Sequence, residues 1–223
     1  MLISVVNGSD IMEKTKGIIF DLDGTLWDSS DNVVISWNMV FDNHKEFNLH
    51  ITNKDMQGLM GLTMENIIKS LLPELDEKER LVVLEECCEV ENNYLEKHGG
   101  VLFPDLEDTL KKLSEKYKLF IVSNCQSGYI ECFLKYYDFG KYFTDIECSG
   151  NTHEHKGKNV ESIIKRNNLS SAVYVGDAQV DLDASRFAGI PFIYCKYGFG
   201  HVDEEKIIIN SLPELVGTVE KVL

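Results

Sequence analysis

The stretch Gly17-Ile-Ile-Phe-Asp-Leu-Asp-Gly-Thr25 decides the fold class of this chain. Its first four residues form a short apolar run, which is typical of a parallel strand buried on both faces. Asp21 and Asp23 follow at once, and Gly24 permits a loop that brings both carboxylates to one site. Close carboxylates repel each other and normally need a cation or a shared proton. A capped turn at the strand end is the structural alternative.

Further apolar runs of strand length lie at residues 118–122, 142–146, 172–175 and 191–194. Amphipathic stretches at 105–117, 129–137 and 158–167 separate them, so strands and helices alternate. This alternation predicts an α/β fold with a doubly wound parallel sheet. Ligands of such sheets bind beyond the carboxyl ends of the strands.

The interval between the first two predicted strands is far longer than one crossover helix requires. Residues 29–100 carry apolar side chains at helical spacing, including Trp37, Leu84 and Leu95, and we interpret them as an inserted all-α domain. The predicted α/β core then comprises residues 12–28 and 101–223. Residues 1–11 are predicted to be a dispensable extension, with Met12 able to serve as the start.

Polar residues follow the other predicted strands. Asp177 and Asp181 come after the run 172–175, and their carboxylates suit Mg²⁺, which prefers oxygen ligands. Ser123 and Asn124 end the run 118–122, where a phosphate group is readily held. Lys156 lies in the polar loop after the run 142–146 and would balance the negative charges. Taken singly, each also has a structural reading, such as a helix cap or a solvated lysine.

The chain has 223 residues with 22 Lys+Arg and 37 Asp+Glu, a formal net charge of −15. This balance argues against nucleic-acid partners and anionic membrane surfaces, which are bound mainly through Lys and Arg. No apolar run reaches the roughly 18–20 residues of a membrane span, and the start lacks the pattern of a signal peptide. Six scattered cysteines favour reduced thiols over a disulfide framework or a zinc site. We therefore expect a cytoplasmic protein.

In order and placement, these residues resemble the four motifs of the haloacid dehalogenase-like (HAD) superfamily, with a helical insertion where its C1 caps lie. The segments 99–105, 186–191 and 197–200 resemble the phosphoglycolate phosphatase-like group within it. The resemblance implies a Rossmann-like core and an aspartyl-phosphate mechanism, in which Asp21 attacks phosphorus and Asp23 serves as acid and then as base.

The resemblance also implies the binding roles. Mg²⁺ would be held by Asp21, the Asp23 backbone carbonyl and Asp177, with Asp181 direct or through water. Lys156 would orient Asp21. The residues implied to bind phosphoryl oxygens are Thr25, Ser123 and Asn124.

The expected function is hydrolysis of a small phosphorylated metabolite, with residues 58–65 as the specificity loop. Two alternatives stay open: a β-phosphoglucomutase-like phosphosugar mutase, and a catalytically silent binding or phospho-switch module. The sequence leaves the choice between monomer and homodimer open.

Overall fold

A computed structural model of the protein describes residues 15–204 and 207–223. The predicted extension 1–11 and the alternative start Met12 lie outside the described residues.

The centre of the molecule is a six-stranded parallel sheet in the order β5-β4-β1-β6-β7-β8. The innermost strands have almost wholly apolar sequences and are buried on both faces. The fold class predicted from the sequence is confirmed. The strands of this sheet are β1 (Lys16–Phe20), β4 (Lys118–Ser123), β5 (Phe143–Cys148), β6 (Ser171–Gly176), β7 (Phe192–Cys195) and β8 (Ile208–Ile209).

Helices cover both faces of the sheet, and side chains of β1 alternate between the two resulting cores. Ile18 and Phe20 point into one core, and Ile19 points into the other. Because the strands are parallel, their carboxyl ends meet along one edge, where the polar residues after each strand are collected. The helices that follow the sheet strands or flank them are α5 (Leu106–Ser114), α6 (Tyr129–Tyr137), α7 (Ser149–Thr152), α8 (Lys156–Arg166), α9 (Gln179–Phe187) and α10 (Pro213–Val222).

The segment 29–100, called the helical segment below, carries four α-helices and a short 3₁₀ turn at Lys45–Phe47. A reciprocal cap begins its longest helix: Asp76 accepts a hydrogen bond from Glu79 N at 2.9 Å, and Asp76 N donates to Glu79 Oε2 at 2.9 Å. This reciprocal cap satisfies backbone groups that a helix end leaves free. The division into two domains stays a prediction. The four helices are α1 (Ser30–Phe41), α2 (Asn53–Gln57), α3 (Met64–Leu71) and α4 (Glu77–His98).

Two short strands mark the points where the chain enters and leaves the helical segment. β2 (Trp27–Asp28) pairs antiparallel with β3 (Val101–Leu102). Trp27 is fully buried there, and its ring meets Tyr129 and Phe133 of α6 edge-on at 5.7 and 5.1 Å. These contacts tie the base of the helical segment to the sheet's own helices.

The structure corrects the sequence-based elements at several points. The region of Lys156 is not a polar loop but the first turn of α8. The short strands β2, β3 and β8 were not predicted, because two residues are too few to show a period. The helix α10 was not predicted either, although Leu215, Val219 and Val222 recur in it at helical spacing. None of the helices in the described residues is long and apolar enough to span a membrane.

Candidate active site

Three carboxylates converge at the carboxyl edge of the sheet. Asp21 follows β1, Asp177 follows the neighbouring strand β6, and Asp181 lies in the first turn of α9. One oxygen atom from each lies within 4.8 Å of the others, and all three residues are buried. The parallel pairing of β1 with β6 produces this convergence, since it sets Phe20 beside Val175 and aligns the residues that follow.

Lys156 joins the three carboxylates. Its Nζ donates to Asp21 Oδ1 at 2.8 Å and to Asp181 Oδ1 at 2.7 Å. The side chain is only 2% exposed, which rejects the reading of a solvated lysine. Burial disfavours its charge, but the two carboxylates outweigh burial and raise the pKa of Lys156. The ammonium group is therefore permanently charged at physiological pH.

Backbone N–H groups fix the orientation of Asp177 and Asp181. Asp177 Oδ2 accepts hydrogen bonds from Phe199 N at 2.7 Å and Gly200 N at 2.9 Å. Asp181 Oδ2 accepts from Asp177 N at 3.1 Å and from Ala178 N at 3.0 Å. In the sequence, the segment 197–200 showed only a family resemblance. The hydrogen bonds from its backbone to Asp177 were not predicted.

Gly24 makes the close approach of the two loops possible. Its φ is +79°, a conformation that favours glycine, and a Cβ added there would lie 2.3 Å from Asp177 Oδ2. Glycine is therefore required after Asp23 because a side chain at position 24 would collide with Asp177.

Asp23 is separate from the three-carboxylate cluster. Its Oδ1 accepts hydrogen bonds from Ser29 Oγ and from Tyr129 OH, each at 2.8 Å, and the two hydroxyl groups lie 2.7 Å apart. Burial raises the pKa of Asp23 to about 6, although both hydrogen bonds lower it. A carboxyl group that titrates near neutral pH suits proton transfer in either direction. The sequence alone did not identify Ser29 or Tyr129.

The residues expected to bind phosphoryl oxygens lie at the same edge. Thr25 Oγ1 is fully buried and has no hydrogen-bond partner among the described residues, which is the state of a donor that awaits a ligand. Ser123 Oγ accepts a long hydrogen bond from Cys125 N at 3.4 Å.

Both polar atoms of the Asn124 side chain already make hydrogen bonds within the protein. Its Nδ2 donates to Gly61 O at 2.9 Å, and its Oδ1 accepts from Ser149 Oγ at 3.0 Å. Asn124 thereby holds the helical segment against the sheet, and its predicted contact with phosphate stays a prediction.

The donor set fits a divalent cation. With Asp21, Asp177 and Asp181 ionised, three carboxylates and one ammonium group leave two negative charges in a buried site. Burial and the charge of Asp181 raise the pKa of Asp21 well above its usual range and that of Asp177 to about 7. Hard oxygen ligands at a site of net charge near −2 are the arrangement that Mg²⁺ or a similar ion accepts.

A cavity lies above Asp21 and Asp23, between the sheet edge and the helical segment. Met60, Gly61, Leu62 and Met64 line it, so residues 58–65 lie where the predicted specificity loop is expected. Met64 and Gln126 also line a larger neighbouring cavity.

Glu91 also lines this cavity, and it was not among the site residues predicted from the sequence. It lies on the buried face of α4 with Val83, Leu84, Cys87 and Leu95 and is only 2% exposed. A glutamate within an otherwise apolar helical stripe was the available signal, because such a position is rarely charged without a reason.

Known proteins resemble this chain over most of its length. Residues 18–195 match the model of a family described as haloacid dehalogenase-like hydrolase. The chain is 24% identical over 236 residues to a phosphoglycolate phosphatase of Salmonella typhimurium, an alignment that covers 93% of each protein. Among solved structures, a haloacid dehalogenase-like family hydrolase from Streptococcus pneumoniae superposes with a TM-score of 0.78 at 23% identity, covering 92% of this chain and 98% of the other.

A structure described as a predicted phosphoglycolate phosphatase from Haemophilus somnus also gives a TM-score of 0.78, at 20% identity and with 93% and 99% of the two chains covered. At these identities the two solved structures support the fold alone.

Proposed function

Because the chain belongs to the haloacid dehalogenase-like hydrolases, we propose that it is a Mg²⁺-dependent phosphatase that hydrolyses a small phosphomonoester through an aspartyl-phosphate intermediate. The phosphoglycolate phosphatases among its relatives support a phosphomonoester as the substrate class. The observation that carries the proposal is the buried constellation of Asp21, Asp177, Asp181 and Lys156, together with a Thr25 hydroxyl that has no hydrogen-bond partner among the described residues.

In the proposed reaction, Asp21 is the nucleophile. One of its carboxylate oxygens forms a bond to phosphorus while the bond between phosphorus and the alcohol oxygen breaks. Lys156 holds Asp21 in place, and its charge offsets the negative charge that gathers in the site. The acyl phosphate that results divides one difficult displacement into two easier ones.

Asp23 transfers the protons in both halves of the reaction. In its protonated form it gives a proton to the departing alcohol oxygen. It then takes a proton from the water that attacks the acyl phosphate, which releases inorganic phosphate and restores Asp21. A pKa of about 6 leaves both forms of Asp23 accessible near neutral pH. Ser29 and Tyr129 hold the carboxyl group in position.

The residues that would hold the cation are Asp21, the Asp23 carbonyl, Asp177 and Asp181. When bound, the cation supplies charge neutralisation to the phosphoryl group and its carboxylate neighbours. Thr25 and Ser123 would donate hydrogen bonds to phosphoryl oxygens. The uncatalysed hydrolysis of phosphate monoesters is among the slowest reactions known, so the proposed rate enhancement draws on all of these groups together.

The test is Mg²⁺-dependent hydrolysis of p-nitrophenyl phosphate by the wild-type protein and by Asp21→Asn. We expect the variant to lose at least about a thousandfold in kcat, because it removes the nucleophile. Asp183→Asn is the matched control, since Asp183 lies on the same helix as Asp181 but is exposed. Absence of turnover in the wild type, or equal turnover in Asp21→Asn, would contradict the proposal and favour the silent binding module.

A mutase would give a different result in the same experiments. It would show slow net hydrolysis and would interconvert hexose phosphates when primed with a bisphosphate. The cytoplasmic location stays a prediction. The choice between monomer and homodimer stays open.

A further inference from the structure

The cavity above Asp21 and Asp23 has an unusual distribution of charge for a site that binds anions. Its wall on the side of the helical segment is mainly apolar, with Val33, Trp37, Met56 and Ile67 among its members. Among the described residues that line it, none is Lys or Arg. The cation of the site, Lys156, is already bonded to Asp21 and Asp181. A carboxylate on the leaving group would find no positive partner in this wall.

Glu91 places a carboxylate in the same wall. Its Oε2 accepts a hydrogen bond from the indole N–H of Trp37, and the residue is only 2% exposed. Burial, with a smaller contribution from the charge of Asp23, raises the pKa of Glu91 to about 7, although hydrogen bonds from Trp37 and Gln126 act in the opposite direction. A buried carboxylate without a cation is costly, and a positive group in the cavity would remove that cost.

Gln126 adds a second acceptor to the cavity. Its Nε2 donates to Asn92 Oδ1 at 3.1 Å, but its Oε1 is buried without a hydrogen-bond partner among the described residues. The whole side chain is only 7% exposed and lines the cavity together with Glu91. Buried acceptors are almost always satisfied, so an unpartnered oxygen in a binding cavity indicates a ligand that donates.

We propose that the leaving group of the substrate carries an ammonium group, which is bound by the carboxylate of Glu91 and by Gln126 Oε1. An ammonium group carries one positive charge, which suits the buried carboxylate of Glu91. It also offers three donors, which can bind both the Glu91 carboxylate and Gln126 Oε1. This inference rests on the proposed phosphatase function and narrows its substrate class. It also separates this chain from relatives named for phosphoglycolate, because the glycolate released from that ester carries a carboxylate and not an ammonium group.

Esters of similar length but different charge provide the test. Hydrolysis of O-phosphoethanolamine, 2-hydroxyethyl phosphate and 2-phosphoglycolate is measured with Mg²⁺, as phosphate released. We expect kcat/KM to fall in that order, with O-phosphoethanolamine about 10- to 100-fold above 2-phosphoglycolate, because a hydrogen bond to a charged group contributes a factor of this size.

Glu91→Gln keeps the shape of the side chain and removes its charge. We expect this variant to reduce the ratio of kcat/KM for O-phosphoethanolamine to that for 2-phosphoglycolate by about tenfold or more. Glu89→Gln is the matched control, because it removes the same charge from an exposed position of the same helix and should leave the ratio unchanged.

The outcomes separate the two proposals. A preference of the wild-type protein for 2-phosphoglycolate or for the neutral ester would overturn the inference. An unchanged ratio of kcat/KM values in a folded Glu91→Gln protein would also overturn it. Turnover of p-nitrophenyl phosphate with none of the three esters accepted would overturn the inference and leave the phosphatase proposal standing. Absence of turnover with every ester would overturn both.

Discussion

Replacement of Lys156 by methionine removes the ammonium group that bridges Asp21 and Asp181 while keeping most of the aliphatic chain. The two hydrogen-bonded contacts are 2.8 and 2.7 Å long, and the three side chains are between 0% and 3% exposed. The variant therefore leaves two carboxylates buried beside each other with no cation between them. We expect the metal-free protein to become strongly less stable.

The size of the effect follows from these distances. Opposite charges 2.8 Å apart attract by about 6 kcal/mol at an effective dielectric constant of about 20, and the cost of taking the charges out of water offsets part of this attraction. Removing one partner of a buried ion pair typically lowers the free energy of unfolding by about 3–5 kcal/mol. For a chain of this length that loss corresponds to a decrease in Tm of about 6–20 °C.

The measurement is urea-induced unfolding followed by circular dichroism, in EDTA at about pH 7.5. Lys158→Met is the matched control, because Lys158 lies on the same helix, is 50% exposed and pairs with Glu154 at 3.0 Å. Exposed pairs at this spacing contribute about 0.3–0.5 kcal/mol. Saturating Mg²⁺ should recover part of the stability of Lys156→Met, since a bound cation again neutralises the carboxylates.

The dependence on pH provides an internal check. Burial raises the pKa of Asp21, so acidification protonates a carboxyl group that the variant leaves unpaired. The stability difference between wild type and Lys156→Met should accordingly shrink between about pH 7.5 and pH 5. A loss in Lys156→Met no larger than that in Lys158→Met, at both pH values, would refute the reasoning.

Three further predictions concern the same site. Gly24→Ala should lower the free energy of unfolding by about 1–3 kcal/mol and abolish stabilisation by Mg²⁺, because the new Cβ would lie 2.3 Å from Asp177 Oδ2 at a φ of +79°. Both effects are measured by thermal unfolding with and without Mg²⁺. Gly140→Ala is the control, because no atom lies within 4 Å of the Cβ that it adds. Tyr129→Phe should raise the pKa of Asp23 above about 6, by up to about one pH unit, since a donor to the carboxylate is lost; a carboxyl-carbon NMR titration that shows no rise would contradict this. Finally, burial raises the pKa of Asp177 to about 7, so the folded metal-free protein holds protons that the unfolded chain releases above about pH 4. Its stability should fall as pH rises from about 4 to 7, and Mg²⁺ should increase Tm more at about pH 8 than at about pH 5; an equal increase would argue against a carboxylate site.

The main strands of the sheet were predictable because their local sequences are short apolar runs. Residues 119–122 and 172–175 are apolar throughout, and burial on both faces demands such sequences. The strand boundaries agree with the predicted ones to within two residues. The strands β2 and β8 have two residues each, too few to show any period, and they exist only because a neighbouring strand pairs with them.

The candidate site was predictable to the extent that it lies at strand ends. Asp21, Ser123 and Asp177 follow apolar runs directly, so their meeting at one edge follows from parallel pairing alone. Lys156 was placed in a loop, and only the structure shows that it begins a helix and is buried against two carboxylates. Its burial depends on packing between α8, α9 and the sheet, which no local pattern records.

The sequence by itself determined the class of fold, the family resemblance and the set of acidic residues at the sheet edge, because these depend on local periodicity and on spacing along the chain. Only the tertiary structure decided what surrounds them. Tyr129 reaches Asp23 across 106 positions of the sequence. Glu91 and Gln126 come from different parts of the chain to form one cavity wall. Contacts between side chains far apart in sequence depend on how helices pack on the sheet, and that packing determines which side chains line the cavity.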